Sequence, residues 1–132
     1  MRIYIATRFT NLEEYRQAKD ALESLGHVIS HDWSGEKVGD RQGTELEEFL
    51  NGCAVKDMYG VVTADALLVI NHADARGTLV EMGMAIAKEI PVFVAFPERV
   101  SNIFTHLMGV ESCADIDSAV EAVDNYSQLV GF

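Results

Sequence analysis

The feature of this sequence that most constrains its fold is the run Ala64 to Ile70, which is apolar along nearly its whole length. A parallel strand covered by helices on both faces has this character. Segments with helical spacing of apolar residues stand before and after it. Because parallel neighbours need a crossover helix between them, the run predicts a chain in which strands and helices alternate.

The rest of the chain fits that alternation. Strands are predicted at 2–6, 27–33, 64–70, 91–96 and 110–113. Helices are predicted at 12–25, from 44 to about 61, at 78–88 and at 116–126, with a short helix within 100–108. We therefore expect a single α/β domain over residues 1–132. Its architecture is a doubly wound, flavodoxin-like or Rossmann-like parallel sheet of about five strands, with helices on both faces. Ligands bind such sheets beyond the carboxyl ends of the strands, so the loops after Ala6, Ile70 and Phe96 are searched first.

The helix that begins near Thr44 is predicted to bury one apolar stripe. Thr44 can cap it, and Glu47 three residues later completes a capping box. The predicted stripe consists of Leu46, Phe49, Leu50, Ala54, Met58 and Val61. Asp57 lies on the same helix, near its C-terminal end.

Net charge argues against a nucleic acid polymer as partner. The chain has 21 acidic and 10 basic residues, giving a formal charge of −11, which repels a phosphate backbone. A mononucleotide remains possible, because salt screens distant charges over about 8 to 10 Å and a local pocket can outweigh them.

The sequence also predicts the compartment. Its apolar runs are too short to cross a bilayer, and the N-terminus lacks the pattern of a signal peptide. Cys53 and Cys113 match no metal-binding spacing and are too few for a disulfide framework. The four histidines show no metal-ligand spacing either. We expect a cytoplasmic protein that binds neither membrane, metal nor cofactor.

The strongest candidate site is the run Gly77 to Gly83, which opens the helix after the central strand. Gly77 lets a ligand approach the backbone, and Thr78 stands among the free amides of the helix start. Glu81 follows about one turn later and can point back toward the strand ends. Gly83 is predicted to let the helix pack closely on a neighbour. The competing interpretation is that glutamate near a helix start is favoured by the helix dipole alone.

Three further side chains can converge on the same cleft. Tyr4 lies on the first strand and Asp57 precedes the third, although a strand aromatic and a solvated carboxylate are ordinary features of such positions. Trp33 ends the second strand and could stack on a nucleobase. Burial of its ring against the sheet is an equally open interpretation.

These residues resemble the nucleoside 2-deoxyribosyltransferase family, which includes deoxynucleoside 5′-monophosphate N-glycosidases. The likeness rests on Tyr4 within Ile3-Tyr4-Ile5-Ala6, on Asp57 followed by Ala64-Asp65 and an apolar strand, and on the run Gly77 to Gly83 with Ala85 and Ala87 behind it. It extends from Tyr4 to about Val110.

The resemblance implies a catalytic role for three residues. Glu81 would attack the anomeric carbon to form a covalent glycosyl-enzyme intermediate, which water or a second base resolves. Tyr4 would orient Glu81. Asp57 would hold the sugar or assist proton transfer to the leaving base.

The resemblance also implies binding residues and an assembly. Thr7 and Arg8 occupy a phosphate-binding loop, where Arg8 could pair with a 5′-phosphate; an exposed arginine is the plainer interpretation. Ser101 and Asn102 match a region that often reaches into a neighbouring subunit's site. A homodimer or higher homo-oligomer is therefore expected.

Two other functions stay open. The chain could be a non-catalytic module that binds a nucleotide or ADP-ribose, since a fold does not establish an activity. A phosphoribohydrolase shares the glycine-threonine-glutamate element but usually carries a richer glycine loop than Ala75-Arg76-Gly77. Within the favoured class, hydrolysis and transfer are both possible, and Arg8 favours hydrolysis of a nucleotide.

Overall fold

A computed structural model describes all 132 residues, which have an α/β fold. Its strands are β1 (Arg2–Ala6), β2 (Val28–Ile29), β3 (Ala66–Ile70), β4 (Val92–Ala95) and β5 (Val110–Cys113). Its α-helices are α1 (Leu12–Ser24), α2 (Gly43–Val62), α3 (Arg76–Ala87) and α4 (Ile116–Leu129). Two short 3₁₀ helices, Pro97–Arg99 and Ile103–His106, lie between β4 and β5. No helix combines the length and the apolar character needed to span a membrane.

The five strands form one parallel sheet in the order β2-β1-β3-β4-β5, which confirms the predicted doubly wound fold. Helices α1 and α4 pack together on one face, and α2 and α3 pack together on the other. The central strand β3 pairs with β1 and β4 and is buried at every residue. Its uniform apolar character therefore follows from cover on both faces.

The second strand is shorter than predicted. We expected strand from 27 to 33, but β2 contains only Val28 and Ile29 at the sheet edge. Beyond it the Trp33 indole N–H donates to the Ile5 carbonyl at 2.9 Å, so a side chain takes the place of a backbone partner there. The Trp33 ring packs against the Tyr15 ring, with 4.5 Å between their centroids.

The predicted stripe of α2 is buried in the single chain only at Val61, whereas Leu50, Ala54 and Met58 are exposed. Helix α2 packs along α3, and only its last turn, at Gly60 and Val61, is buried. Leu50 and Met58 are 47% and 48% exposed. The helix begins at Gly43 after Gln42 and has no side-chain cap, so Thr44 does not cap it.

Gly60 marks the closest approach of α2 to the sheet. A Cβ atom built there would lie 2.8 Å from the His31 Cβ atom and 3.0 Å from the Tyr4 ring. The helix can approach β1 this closely only because residue 60 has no side chain. The Gly60 carbonyl also accepts a hydrogen bond from the Ser30 hydroxyl at 2.8 Å.

We expect Gly60→Ala to lower the free energy of unfolding by about 1–3 kcal/mol, because the methyl group would push apart α2 and Tyr4. Gly52→Ala is the matched control, since Gly52 lies in the same helix with nothing within 4 Å of its Cβ position. That change should raise stability by about 0.5–1 kcal/mol through helix propensity. Urea unfolding measures both; equal effects would contradict the packing argument.

Candidate active site

The main candidate site is a cavity of about 630 Å³ at the carboxyl ends of β1 and β3. Its walls come from the loops after β1 and β2, from α2 and from the start of α3. This is the edge of the sheet where a doubly wound fold binds ligands, and the volume suits a small organic molecule. Eight of the ten predicted site residues line it: Tyr4, Thr7, Arg8, Trp33, Asp57, Gly77, Thr78 and Glu81.

Tyr4 and Glu81 form a direct pair in this cavity. The Tyr4 hydroxyl donates a hydrogen bond to Glu81 Oε2. Tyr4 is fully buried on β1, and Glu81 lies on the second turn of α3, which crosses back over β1 after leaving β3. The topology therefore brings together two residues that are 77 positions apart.

The environment of this pair raises both of its pKa values. Burial raises the pKa of Glu81 to about 7, nearby Asp57 adds to the increase, and the hydrogen bond from Tyr4 opposes it. Burial and the charge of Glu81 raise the pKa of Tyr4 well above its usual range, so Tyr4 stays a hydrogen-bond donor. Glu81 thus changes its charge near neutral pH.

Asp57 is a carboxyl group with few hydrogen-bond donors. It is partly buried on α2, and its Oδ1 atom is buried without a hydrogen-bond partner. Burial raises the pKa of Asp57 and the charge of Glu36 raises it further, while the neighbouring His31 and Tyr4 oppose part of the increase. Protonation relieves the cost of an unpaired buried carboxylate, so Asp57 is suited to hold a proton.

His31 and Glu36 complete the site beside Asp57, and sequence reasoning missed both as site residues. His31 Nε2 lies 3.0 Å from Glu36 Oε1 and 3.4 Å from Asp57 Oδ1. One side-chain oxygen or nitrogen from each of the three residues lies within 4.8 Å of the others. No periodic spacing connects positions 31, 36 and 57, since only the tertiary fold brings them together.

The start of α3 offers unsatisfied polar groups to the cavity. The helix follows Ala75 without a side-chain cap, and the buried Thr78 hydroxyl has no hydrogen-bond partner. Space is open where Gly77 would carry a Cβ atom. Space is equally open at Gly83, so the expectation that Gly83 permits close helix packing is wrong. Gly60 has that role instead.

The loop after β1 carries the remaining polar wall. The buried Thr7 hydroxyl donates to the Ile70 carbonyl at 2.9 Å, which ties this loop to the end of β3. Arg8 is partly exposed and forms no ion pair. Arg76, at the start of α3, forms no ion pair either. Two guanidinium groups are therefore available to an anion at the cavity wall.

The last two predicted residues lie outside this cavity. Asn102 lines a second cavity of about 220 Å³ that shares Asp74 to Arg76 and Thr78 with the first. Its side chain accepts a hydrogen bond from the Phe104 amide and starts a short 3₁₀ helix. Ser101 is exposed and lines neither cavity.

Three solved structures share this fold. A 2-deoxyribosyltransferase from Bacillus psychrosaccharolyticus superposes with a TM-score of 0.73 at 21% identity, over 98% of this chain and 95% of that chain. The Clostridium botulinum CMP N-glycosidase BcmB gives 0.59 at 17% identity, over 96% and 100%. The solution structure of BlsM gives 0.66 at 18% identity, over 99% and 94%. No protein-family model and no curated protein matches the sequence. Likeness at these identities establishes the fold.

The raised pKa of Glu81 predicts a pH-dependent cost to stability. The ordinary value is 4.5 and the folded value about 7, so the folded chain binds an extra proton between these pH values and loses stability as pH rises through them. Relative to Glu81→Gln, the wild type should therefore become less stable from about pH 4.5 to 7. Thermal unfolding across this range measures the difference; parallel curves would contradict the raised value.

Proposed function

We propose that this chain cleaves the N-glycosidic bond of a nucleoside or nucleoside 5′-monophosphate, with Glu81 as the nucleophile. The observation that carries the proposal is the Tyr4–Glu81 hydrogen bond at the cavity wall, with Asp57 beside it. Two of the solved structures described above are a 2-deoxyribosyltransferase and a CMP N-glycosidase. Both names describe chemistry at the bond between sugar and base.

The first step breaks the bond between the anomeric carbon and the base. A Glu81 carboxylate oxygen attacks C1′, the electron pair of the C1′–N bond goes to the base, and a glycosyl ester forms on Glu81. The transition state has oxocarbenium character, which a nearby carboxylate stabilises. This step inverts the configuration at C1′, and the second step inverts it again. The overall reaction therefore retains the configuration at C1′.

Tyr4 fixes the orientation of the nucleophile. Its hydroxyl donates to Oε2, which leaves Oε1 as the oxygen free to attack. The same hydrogen bond favours the ionised carboxylate and partly offsets the effect of burial on the pKa of Glu81. The pair thus provides an aligned carboxylate that is ionised at neutral to mildly alkaline pH.

Asp57 supplies the proton to the leaving base in this proposal. Its raised pKa and the unpartnered Oδ1 atom favour the protonated form. A base that leaves with the glycosidic electron pair needs a proton or a hydrogen bond, and a positioned acid contributes about 10²- to 10⁴-fold. Loss of Asp57 should therefore reduce the rate less than loss of the nucleophile.

The second step regenerates Glu81. Water or an acceptor base attacks C1′ of the glycosyl ester, and the deprotonated Asp57 accepts the proton of that nucleophile. We favour water and a 5′-monophosphate substrate, because Arg8, Arg76 and the uncapped start of α3 can together hold a phosphate. The formal charge of −11 makes such a local cationic site necessary.

A cytoplasmic location is part of the proposal. Cys53 and Cys113 are both free thiols, which suits a reducing compartment. Burial raises the pKa of each thiol to about 11, so neither is a reactive thiolate at neutral pH. Nucleotide substrates are abundant in that compartment.

The direct test is release of free base from a panel of nucleosides, 2′-deoxynucleosides and their 5′-monophosphates, followed by chromatography. Wild type should release base from at least one class. Glu81→Gln should release none, and Asp57→Asn should be about 10²- to 10⁴-fold slower. Glu121→Gln, an exposed glutamate on α4 on the other face of the sheet, is the control that should keep full activity.

Absence of base release from every substrate, with and without an acceptor base, would overturn the proposal. Binding of a nucleotide or ADP-ribose to wild type and to Glu81→Gln alike would then support the non-catalytic module.

Tyr4→Phe should move the acid side of the pH–rate profile to higher pH. The Tyr4 hydrogen bond lowers the pKa of Glu81, so its removal raises the pH at which the nucleophile ionises. We expect wild-type kcat/KM to rise with pH through about 7 and the variant to rise later. An unchanged profile would show that Tyr4 does not control this ionisation.

We also propose that the chain acts as a homodimer or higher homo-oligomer through α2 and α3. On this face Val55 and Tyr59 are 51% and 65% exposed, and Leu79 and Val80 are at least half exposed. Leu50, Met58 and Val80 combine exposure with a place in the cavity wall. A second copy seated here would bury the apolar surface and close the cavity mouth.

Light scattering after size-exclusion chromatography tests the assembly. Wild type should elute as an oligomer, and Val55→Lys should elute as a monomer of 14.5 kDa, because a buried lysine without a partner opposes association. Val130→Lys, at the end of α4 and similarly exposed, is the matched control. A monomeric wild type would refute the proposed interface.

A further inference from the structure

The site brings together three carboxyl groups and two hydrogen-bond donors. The carboxyl groups belong to Glu36, Asp57 and Glu81, and the donors to Tyr4 and His31. The Tyr4 hydroxyl donates to Glu81, and His31 Nε2 contacts Glu36 at 3.0 Å. Each donor thus has a partner other than Asp57, whose Oδ1 atom is left buried and unpartnered. Asp57 Oδ1 therefore has no hydrogen-bond donor in the resting site.

The His31 ring is held between two acceptors. We assign a hydrogen to Nε2 in its contact with Glu36 Oε1, because a carboxylate oxygen accepts hydrogen bonds. The same nitrogen lies 3.4 Å from Asp57 Oδ1, just beyond good hydrogen-bond distance. A displacement of a few tenths of an ångström would bring it to Asp57. The contact between the His31 Cβ atom and Gly60 limits how far the residue can move.

We propose that His31 is a positioning residue that exchanges its hydrogen bond from Glu36 to Asp57 as Asp57 gives its proton to the leaving base. The inference rests on the proposed function and deepens it. Glu36 holds the resting imidazole with its N–H at Nε2, and Asp57 takes that N–H only when it becomes an anion. No proton leaves His31 in the exchange.

The atoms balance within the proposed first step. The C1′–N bond breaks, its electron pair goes to the base, and the Asp57 proton forms the new N–H or O–H bond of the base. Asp57 then carries a negative charge in a partly buried position, where an unpaired charge is costly. His31 Nε2 is the donor within reach, since the Tyr4 hydroxyl remains on Glu81 Oε2. A hydrogen bond to a charged acceptor is stronger than one between neutral groups, which favours the exchange.

Two substitutions separate positioning from simple structure. His31→Leu keeps the Cβ atom beside Gly60 and removes the donor, whereas His31→Gln keeps both the Cβ atom and an N–H group of similar reach. We expect His31→Leu to lower kcat by about 10-fold or more with little change in KM, as for loss of help to a general acid. His31→Gln should retain most of the activity.

Dependence on the leaving base gives a second readout. An analogue of the accepted substrate whose base carries an electron-withdrawing halogen leaves with less help from a proton. The decrease in kcat caused by His31→Leu should be smaller with this analogue than with the accepted substrate. Equal losses for the two variants, equal losses for the two substrates, or a loss confined to KM would each overturn the inference. Circular dichroism verifies that both variants fold.

Nuclear magnetic resonance of the imidazole tests the contact without turnover. The groups beside His31 are Glu36 on its own loop, and Asp57 and Gly60 on α2. When Asp57 ionises at higher pH in wild type, the His31 Nε2–H resonance should move downfield, because a hydrogen bond to an anion is stronger; in Asp57→Asn this shift should be absent. The same behaviour in both proteins would refute the pairing. If this shift occurs but wild type releases no base, the pairing stands while the exchange during catalysis falls together with the proposed function.

Discussion

The site depends on one hydrogen bond, from the Tyr4 hydroxyl to Glu81 Oε2, because it joins the sheet to the helix that carries the carboxylate. The Tyr4 ring is held in place, since it is fully buried on β1 and faces α2 at Gly60. Glu81 in turn is fixed by where α3 begins after β3. The packing of β1, α2 and α3, with Gly60 at the contact of α2 with β1, therefore determines where Glu81 Oε2 lies.

The side chains around that hydrogen bond are mainly carboxyl groups, and they determine the local pKa values. Glu81, Asp57 and Glu36 lie close together in a chain that already carries a formal charge of −11. Burial and a neighbouring carboxylate charge raise the pKa of both Glu81 and Asp57, which favours their protonated forms. Arg8 and Arg76 also line the cavity and form no ion pairs, so acidic and basic side chains share its wall.

Local pattern predicted most of the fold and much of the candidate site. The uniform run in β3 and the strand-helix alternation required a parallel sheet, and the strand ends then indicated where Tyr4 and Glu81 would meet. Pattern failed where tertiary contacts decide. Helix periodicity at Leu50 and Met58 indicated burial, yet these side chains are half exposed on the single chain. His31 and Glu36 reach the site because an irregular loop carries them there, and no spacing rule predicts its path. Residue 60 must be glycine because the Tyr4 ring lies against it, which the spacing of residues does not show either.

Trp33 is the only tryptophan of the chain, and its indole is pinned to the Ile5 carbonyl while it forms part of the cavity wall. Tryptophan fluorescence therefore comes from one position, beside the region where a ligand would enter. The Tyr15 ring packs against Trp33, close enough to transfer excitation energy to it. The protein carries a built-in optical reporter: any molecule that fills the cavity changes the surroundings of the single fluorophore without a label being attached.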